Sequence, residues 1–467
     1  MRFERRMSEA EGLLWRLERD PFLSSNVANI TILDRPPDVA RLRRRMDRTT
    51  QLFPRLRQRV QPGPVSLTPP TWVDDPGFDL DYHIRHIGLP APGTMDQLVD
   101  YAVLFAADPF ERTRPLWEFV VVDGLEGGRS ALLQKFHHTV VDGEAGIRLT
   151  AHFVDLERDA PEPAPLTAEE LPPPETPPET NPADAFVDFL TSTFRLPIGL
   201  ARQAAELLGD PSRIPAAGAA ALETIRGLVT QLQDTDKARS PLWVERSLKR
   251  RLEVLRVPLE DTKVAAKALG GTLNVAFLTA ATTAAAEYHR SLGQPVDVLR
   301  ASMAVSTRTE TSGANAYTLV RLLVPSGEMP IAERFAIIRD AAATARAGSA
   351  TANLDALATV ASALPLSMVT RIARQQTQTV DFATSNVRAA PFPVYISGAE
   401  VLENYPVGPL GGVAFNLTLL SYDGSLDMGL HIDARAIAEP ALLRELMEDA
   451  FHDLIAAGGD PSGEAPP

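Results

Sequence analysis

The chain has 467 residues, 45% of them apolar and 23% charged, with a formal net charge of −14 and a pI near 5.2. That length is more than one hydrophobic core comfortably organises, so two folded domains are expected. The acidic balance disfavours non-specific nucleic-acid binding, and the absence of cysteine removes disulfides, a thiol nucleophile and every cysteine-based zinc pattern.

The opening MRFERRMSEAEG is charged and lacks the apolar run of a signal peptide. Leu13, Leu14 and Leu17 fall on one side of a helix expected over Ser8 to Arg19, and Val27 to Leu33 alternates as a strand does. Val39 to Leu52 reads as a basic helix. Between Arg41 and Arg59 stand eight arginines (41, 43, 44, 45, 48, 55, 57 and 59) and one acid, Asp47. Such a run is a solvated helix face, a phosphate site or a contact for an anionic membrane surface. Met95 to Phe105 reads as a helix. A hairpin follows, Glu118 to Val122 and Ser130 to Phe136 around Gly124, Gly127 and Gly128. Helical spacing resumes after Gly143 and runs to about Phe153.

The stretch Ala160 to Asp184 holds nine prolines and five glutamates between Pro161 and Pro182. Proline removes backbone donors, and little there is apolar, so an extended linker is expected. It divides the chain into 1–159 and 185–458, with 459–467 as a tail. In the second part, Ala185 to Leu208, Ala217 to Gln233, Asp261 to Leu269, Leu273 to Arg290 and Ile331 to Ala347 carry helical spacing. Val296 to Ser306 and Tyr317 to Val324 read as strands, and Phe415 to Tyr422 with Leu426 to Ile432 as a hairpin across Asp423–Gly424. No run of about 18 uncharged apolar residues occurs, so no spanning helix is expected. The weakly polar run Thr272 to Ala286 reads as a buried helix. The fold class is mixed α and β, in two layered domains.

Chemistry concentrates in His137, His138, Asp142 and Gly143, where a strand ends and a helix begins. Neighbouring side chains on extended backbone face opposite ways, so only one of the two histidines points into a given cleft. A neutral imidazole can take a proton from an alcohol near neutral pH. Gly143 permits a tight return, and Asp142 can brace the loop. The bland alternative is a pair of core histidines at a strand end. A zinc site would want further ligands at supportive spacing, and the remaining histidines are scattered.

The segment FHHTVVDG resembles the HHxxxDG signature of the bacterial wax ester synthase/acyl-CoA:diacylglycerol acyltransferase family, part of the larger chloramphenicol-acetyltransferase-like group. WVDDPGFDLDYHIRH (Trp72 to His86), DPFERTRPLWEF (Asp108 to Phe119), GGTLN (Gly270 to Asn274), SNV (Ser385 to Val387) and the stretch Val394 to Leu430 resemble the family in the same order. The resemblance implies two chloramphenicol-acetyltransferase-like domains arranged as a pseudo-dimer, with an interdomain tunnel. Acyl-CoA is the implied co-substrate, with no cofactor and no metal, and the acceptor is diacylglycerol or a long-chain alcohol. His138 takes the base role by position, with His137 beside it, Asp142 holding the loop and Gly143 supplying the turn. Asn274, Trp117, Ser385 and Asn386 become candidates for substrate contact, though a helix cap for Asn274 and a packing role for Trp117 stay open. The arginine-rich stretch becomes a candidate for the phosphates of coenzyme A. A monomer or homodimer is implied, cytoplasmic or peripheral to membrane and lipid inclusions.

Two departures stand out. Val275 occupies the second position of the family's Asn-Asp motif, and SNVRAAPFP places Arg388 and Ala389 where the family commonly has Pro-Gly. Valine neither accepts a hydrogen bond through its side chain nor carries charge. A different hydrophobic alcohol as acceptor, or a catalytically impaired lipid- or acyl-CoA-binding homologue, are therefore the alternatives to the leading reading.

Overall fold

The computed structural model describes residues 5–63, 70–141, 143–171, 239–306, 317–349 and 366–459. The helices expected over Ala185 to Leu208 and Ala217 to Gln233, most of the proline-rich stretch, Asp142 and the tail after 459 lie outside them.

In chain order, α1 (Glu9–Leu17), β1 (Asn26–Leu33), α2 (Val39–Leu52), β2 (Gln58–Gln61), β3 (Thr71–Asp74), α3 (Leu80–His83), β4 (Ile84–Gly88), α4 (Met95–Ala107), β5 (Trp117–Leu125), β6 (Arg129–His137) and α5 (Gly143–Thr150) build the first half. The second comprises β7 (Arg250–Pro258), α6 (Leu259–Ala268), α7 (Leu273–Ser291), β8 (Val298–Ser306), β9 (Tyr317–Pro325), α8 (Ile331–Ser349), α9 (Leu366–Thr377), β10 (Phe382–Arg388), β11 (Tyr395–Ile396), β12 (Ala399–Val407), β13 (Phe415–Tyr422), β14 (Ser425–Asp433) and α10 (Pro440–Gly459). Local chemistry sets several boundaries. Ser8 and Glu11 form a reciprocal capping box at the start of α1, and Thr94 and Gln97 do the same for α4, each satisfying two otherwise orphaned backbone donors. Asp423 and Gly424 both adopt positive φ, 39° and 79°, the pairing a two-residue hairpin loop requires.

Two six-stranded sheets form the frame, ordered β11-β12-β1-β6-β5-β4 and β7-β14-β13-β10-β8-β9. One face of the second sheet packs against α6, α7, α8 and α10: Phe415, Leu417 and Leu419 of β13 join Phe277, Phe335, Met447 and Phe451 in one core. Their strand neighbours Thr418, Leu420 and Tyr422 turn the other way, toward the first sheet. α7 is buried along most of its length, as its Thr- and Ala-rich sequence implies. Among the described residues no single helix is long and apolar enough to cross a membrane. α6 and α7 together reach that composition, but they are bent by 95° and pack in this core.

The feature with no counterpart in the sequence pattern is a crossover. Residues 395–407 come from the second half of the chain, yet β12 pairs antiparallel with β1, Thr31 opposite Asn404 and Ala28 opposite Val407. β12 also lies across the second sheet. Gly429 of β14 makes this possible, because a Cβ there would stand 2.0 Å from the Pro406 carbonyl oxygen. Asp427 accepts the Asn404 N–H at 2.7 Å and faces Arg256 at 3.0 Å. Burial pushes its carboxyl up to about 7. Tyr422 ties the same region, its hydroxyl accepting from Val394 N and donating to Val401 O, both at 3.0 Å.

Candidate active site

A cavity of about 630 Å³ lies between the sheets, walled by β1 and β6 on one side, β10 and β13 on the other, with α5 and β12 closing it. Its lining is mostly aliphatic and aromatic, and its size suits a lipid chain.

β6 delivers the histidines. Gln134, Phe136 and His138 line the cavity, while Lys135 and His137 point to the opposite face, as strand alternation demands. Half-buried His138 is held at its backbone, where its N–H donates to Ser25 O at 3.1 Å. His137 is fully buried. Its Nδ1 accepts the Thr139 N–H at 3.1 Å, which leaves the proton on Nε2, facing the Glu18 carboxylate at 2.5 Å. The Trp15 ring meets it edge-on at 5.8 Å. Lys135 is also buried, 3.6 Å from Glu118 and between the rings of Phe105 and Phe110. Burial lowers its pKa. The turn after β6 is closed by Val140 N–H to His137 O at 2.9 Å, and α5 begins at Gly143.

The other candidates divide sharply. Ser385 lines the cavity from β10. Asn386, the next residue, turns away, and its Nδ2 donates to Asn274 Oδ1 at 2.5 Å. Asn274 is the second residue of α7, whose N-cap is Thr272, so it is not a cap. It ties α7 to β10 and is not among the cavity-lining residues. Trp117 is fully buried, donates its indole N–H to Leu56 O at 2.8 Å and stacks on His83 at 4.6 Å. His83 donates Nδ1–H to Trp117 O at 2.7 Å, and burial lowers its imidazole to about 4. Trp117 therefore packs the core and does not reach the cavity wall. Thus His138 and Ser385 meet at the cavity, whereas His137, Trp117, Asn274 and Asn386 do not.

Val275 is 7% exposed and belongs to the core beneath the second sheet. Val275→Asp should therefore destabilise the fold by about 2 kcal/mol or more, because an unpaired carboxylate would be taken out of water. A thermal melt equal to wild type would show that the helix start accommodates the charge. At the other departure, the Ala389 N–H donates to Ser421 O at 2.9 Å, and Ala389 and Ala390 line the cavity.

Six of the eight arginines of the stretch Arg41 to Arg59 are ion-paired. Arg41 and Arg45 converge on buried Asp155, Arg43 pairs with Asp81, Arg44 with Glu162, Arg48 with Glu170 and Arg57 with Asp47. Arg55 lies over Trp72. Arg45 is itself buried. Four of the eight arginines, Arg41, Arg44, Arg45 and Arg48, hold 155–170 against α2, so the helix is not a bare basic face. Residues missing from the sequence reading are the cavity walls. Val27, Asn29 and Thr31 share one face of β1, and the period of two in that strand was the available signal.

Residues 7–277 match the wax ester synthase/diacylglycerol acyltransferase catalytic domain, and 314–455 the C-terminal domain of the same family. A putative diacylglycerol O-acyltransferase of Mycobacterium tuberculosis is 31% identical over 98% of this chain and 93% of its own. A probable diacylglycerol O-acyltransferase of the same species is 28% identical over 95% and 94%. Among solved structures, the wax ester synthase/diacylglycerol acyltransferase of Marinobacter aquaeolei VT8 aligns over 97% of this chain and all of its own, with a TM-score of 0.66 at 21% identity. The first condensation domain of the CDA synthetase aligns over 98% and 96%, with a TM-score of 0.58 at 17% identity. The fold is thus the two-domain chloramphenicol-acetyltransferase-like one, and the chain belongs to the wax ester synthase/diacylglycerol acyltransferase family of acyltransferases.

Proposed function

We propose that this chain transfers a fatty acyl group from acyl-CoA to the hydroxyl of diacylglycerol or a long-chain alcohol, with His138 as general base. The observation that carries the reading is the position of His138, at the end of a rigid buried strand and on the wall of a largely apolar cavity. The imidazole takes the alcohol proton as its oxygen attacks the thioester carbonyl. The C–S bond then breaks, and the imidazolium returns the proton to the leaving thiolate. No enzyme nucleophile is needed. Asp142 and Gly143 shape the loop after the base, and His137 anchors the end of β6 through Glu18 and Thr139. We read 1–159 and 185–458 as the two acyltransferase domains, joined through 160–184.

The test is release of free CoA from palmitoyl-CoA, with hexadecanol and dipalmitoylglycerol offered in parallel. Alcohol-dependent release with formation of the matching ester is expected. Release that ignores the alcohol would make the chain a thioesterase, and no release with either alcohol would remove these two acceptors.

A further inference from the structure

The cavity wall carries one polar row. Asn29 and Thr31 of β1, Gln134 of β6 and Asn404 of the crossover strand all line it. Gln134 Nε2 donates to Thr31 Oγ1 at 3.0 Å, and the Thr31 hydroxyl donates to Asn404 Oδ1 at 2.8 Å. Asn29 Nδ2 donates to both Thr31 Oγ1 and Asn404 Oδ1, at 2.9 and 3.1 Å. This wiring fixes the orientation of both end amides. Asn404 Oδ1 is spent on two donors, so its NH2 turns elsewhere. Thr31 has given its proton to Asn404 and can only accept from Gln134, so the Gln134 oxygen turns away as well. Neither the Asn404 NH2 nor the Gln134 Oε1 has a hydrogen-bond partner among the described residues, and neither is sealed off from the cavity. The cavity thus presents a donor at one end of the row and an acceptor at the other.

The row stands apart from the base. Gln134 lies in β6 and His138 directly after its end, four residues on and roughly 13 Å away at the rise of a β-strand, and Asn404 lies further still. Between them the wall is Val27 and Phe136, a directly opposed pair. A pantetheine arm would bring its first amide within a few bonds of the reacting carbon, where this wall offers only hydrocarbon. A plain aliphatic chain would pass the apolar rows and then strip water from two unpaired amide groups, which disfavours it. A chain whose first stretch is hydrocarbon and which then carries oxygen meets both conditions.

Resting on the acyltransferase reading above, we propose that Gln134, Thr31 and Asn404 form a specificity site for an oxygenated lipid chain, bearing a hydroxyl or carbonyl on the order of ten carbons from the reacting centre. Either the acyl donor or the acceptor could carry that oxygen, since both chains begin at the base.

The experiment compares kcat/KM for 12-hydroxystearoyl-CoA and stearoyl-CoA with hexadecanol as acceptor, and for dodecane-1,12-diol and dodecanol with stearoyl-CoA as donor. Rates with the diol are halved to allow for its two equivalent ends. The oxygenated member is expected to win by about ten-fold or more in one arm, which also identifies the source. Gln134→Met and Asn404→Ala, each checked for folding by its thermal melt, are expected to bring that ratio close to one. Since the readout is a ratio within each variant, a general loss of activity does not mimic the result. Equal rates for plain and oxygenated chains in both arms of the wild type would overturn the proposal while leaving the acyltransferase reading intact. So would variants that raise KM for every acyl-CoA alike, which would assign the row to the pantetheine arm. No turnover with any pair would sink both.

Discussion

His138→Ala is expected to lower the rate of alcohol-dependent CoA release by roughly 10²–10⁴-fold, the usual range for a well-placed general base, with little change in thermal stability. The side chain is half-buried on a cavity wall, so its truncation removes the proposed proton acceptor without opening a sealed core. His137→Ala should behave the other way round. Its imidazole is fully buried, faces the Glu18 carboxylate with one nitrogen and accepts the Thr139 N–H with the other. Removing it leaves Glu18, whose side chain is 9% exposed, with Arg112 at 3.9 Å as its remaining ion-pair partner among the described residues, so a cost of about 1–3 kcal/mol is expected. A lower melting temperature with a smaller effect on rate is the expected signature. Matched losses of rate at matched stability would mean that alternation along β6 does not assign the base.

Gly429→Ala is expected to cost about 3 kcal/mol and to reduce activity. Two strands from different sheets touch backbone to backbone at this point, and a methyl group would meet the Pro406 carbonyl at 2.0 Å. A carbonyl held in a sheet cannot rotate aside as a side chain can, so β12 must move off the second sheet or the strand must buckle. Either response displaces Asn404, Pro406, Val407 and Gly408, all of which line the cavity. Parallel measurements of thermal melting and of acyl-CoA turnover test this. A variant with wild-type melting and turnover would show that the crossover has slack.

Much of the first half could be read locally. The helix starting at Glu9, the basic helix Val39–Leu52 and the hairpin carrying Trp117 and His137 follow from spacing, capping residues and glycine positions. The same holds for α7, where an unbroken run of Ala, Thr and aliphatic residues leaves no polar face for solvent. The pairing of the arginine stretch is not legible locally, because charge on a helix reads as solvent-facing. Its partners Asp155, Glu162 and Glu170 are more than a hundred residues away in the chain from those they meet. A cap stayed open for Asn274 beside substrate contact, because an asparagine beside a helix start commonly is one, and its partner, Asn386, lies in a distant strand.

By itself, then, the sequence indicated the family, many of the α and β elements, and which histidine of the pair to propose as the base, because these readings rest on motifs and on the periods of 2 and 3.6 that short-range stereochemistry imposes. Only the tertiary structure decided that β12 leaves its own half to join β1, that Gly429 admits it, and that Thr31, Gln134 and Asn404 share one polar row. The reason is physical. Local periodicity says which face of a strand a side chain takes, whereas the partner that face will meet depends on how the second half of the chain returns to the first.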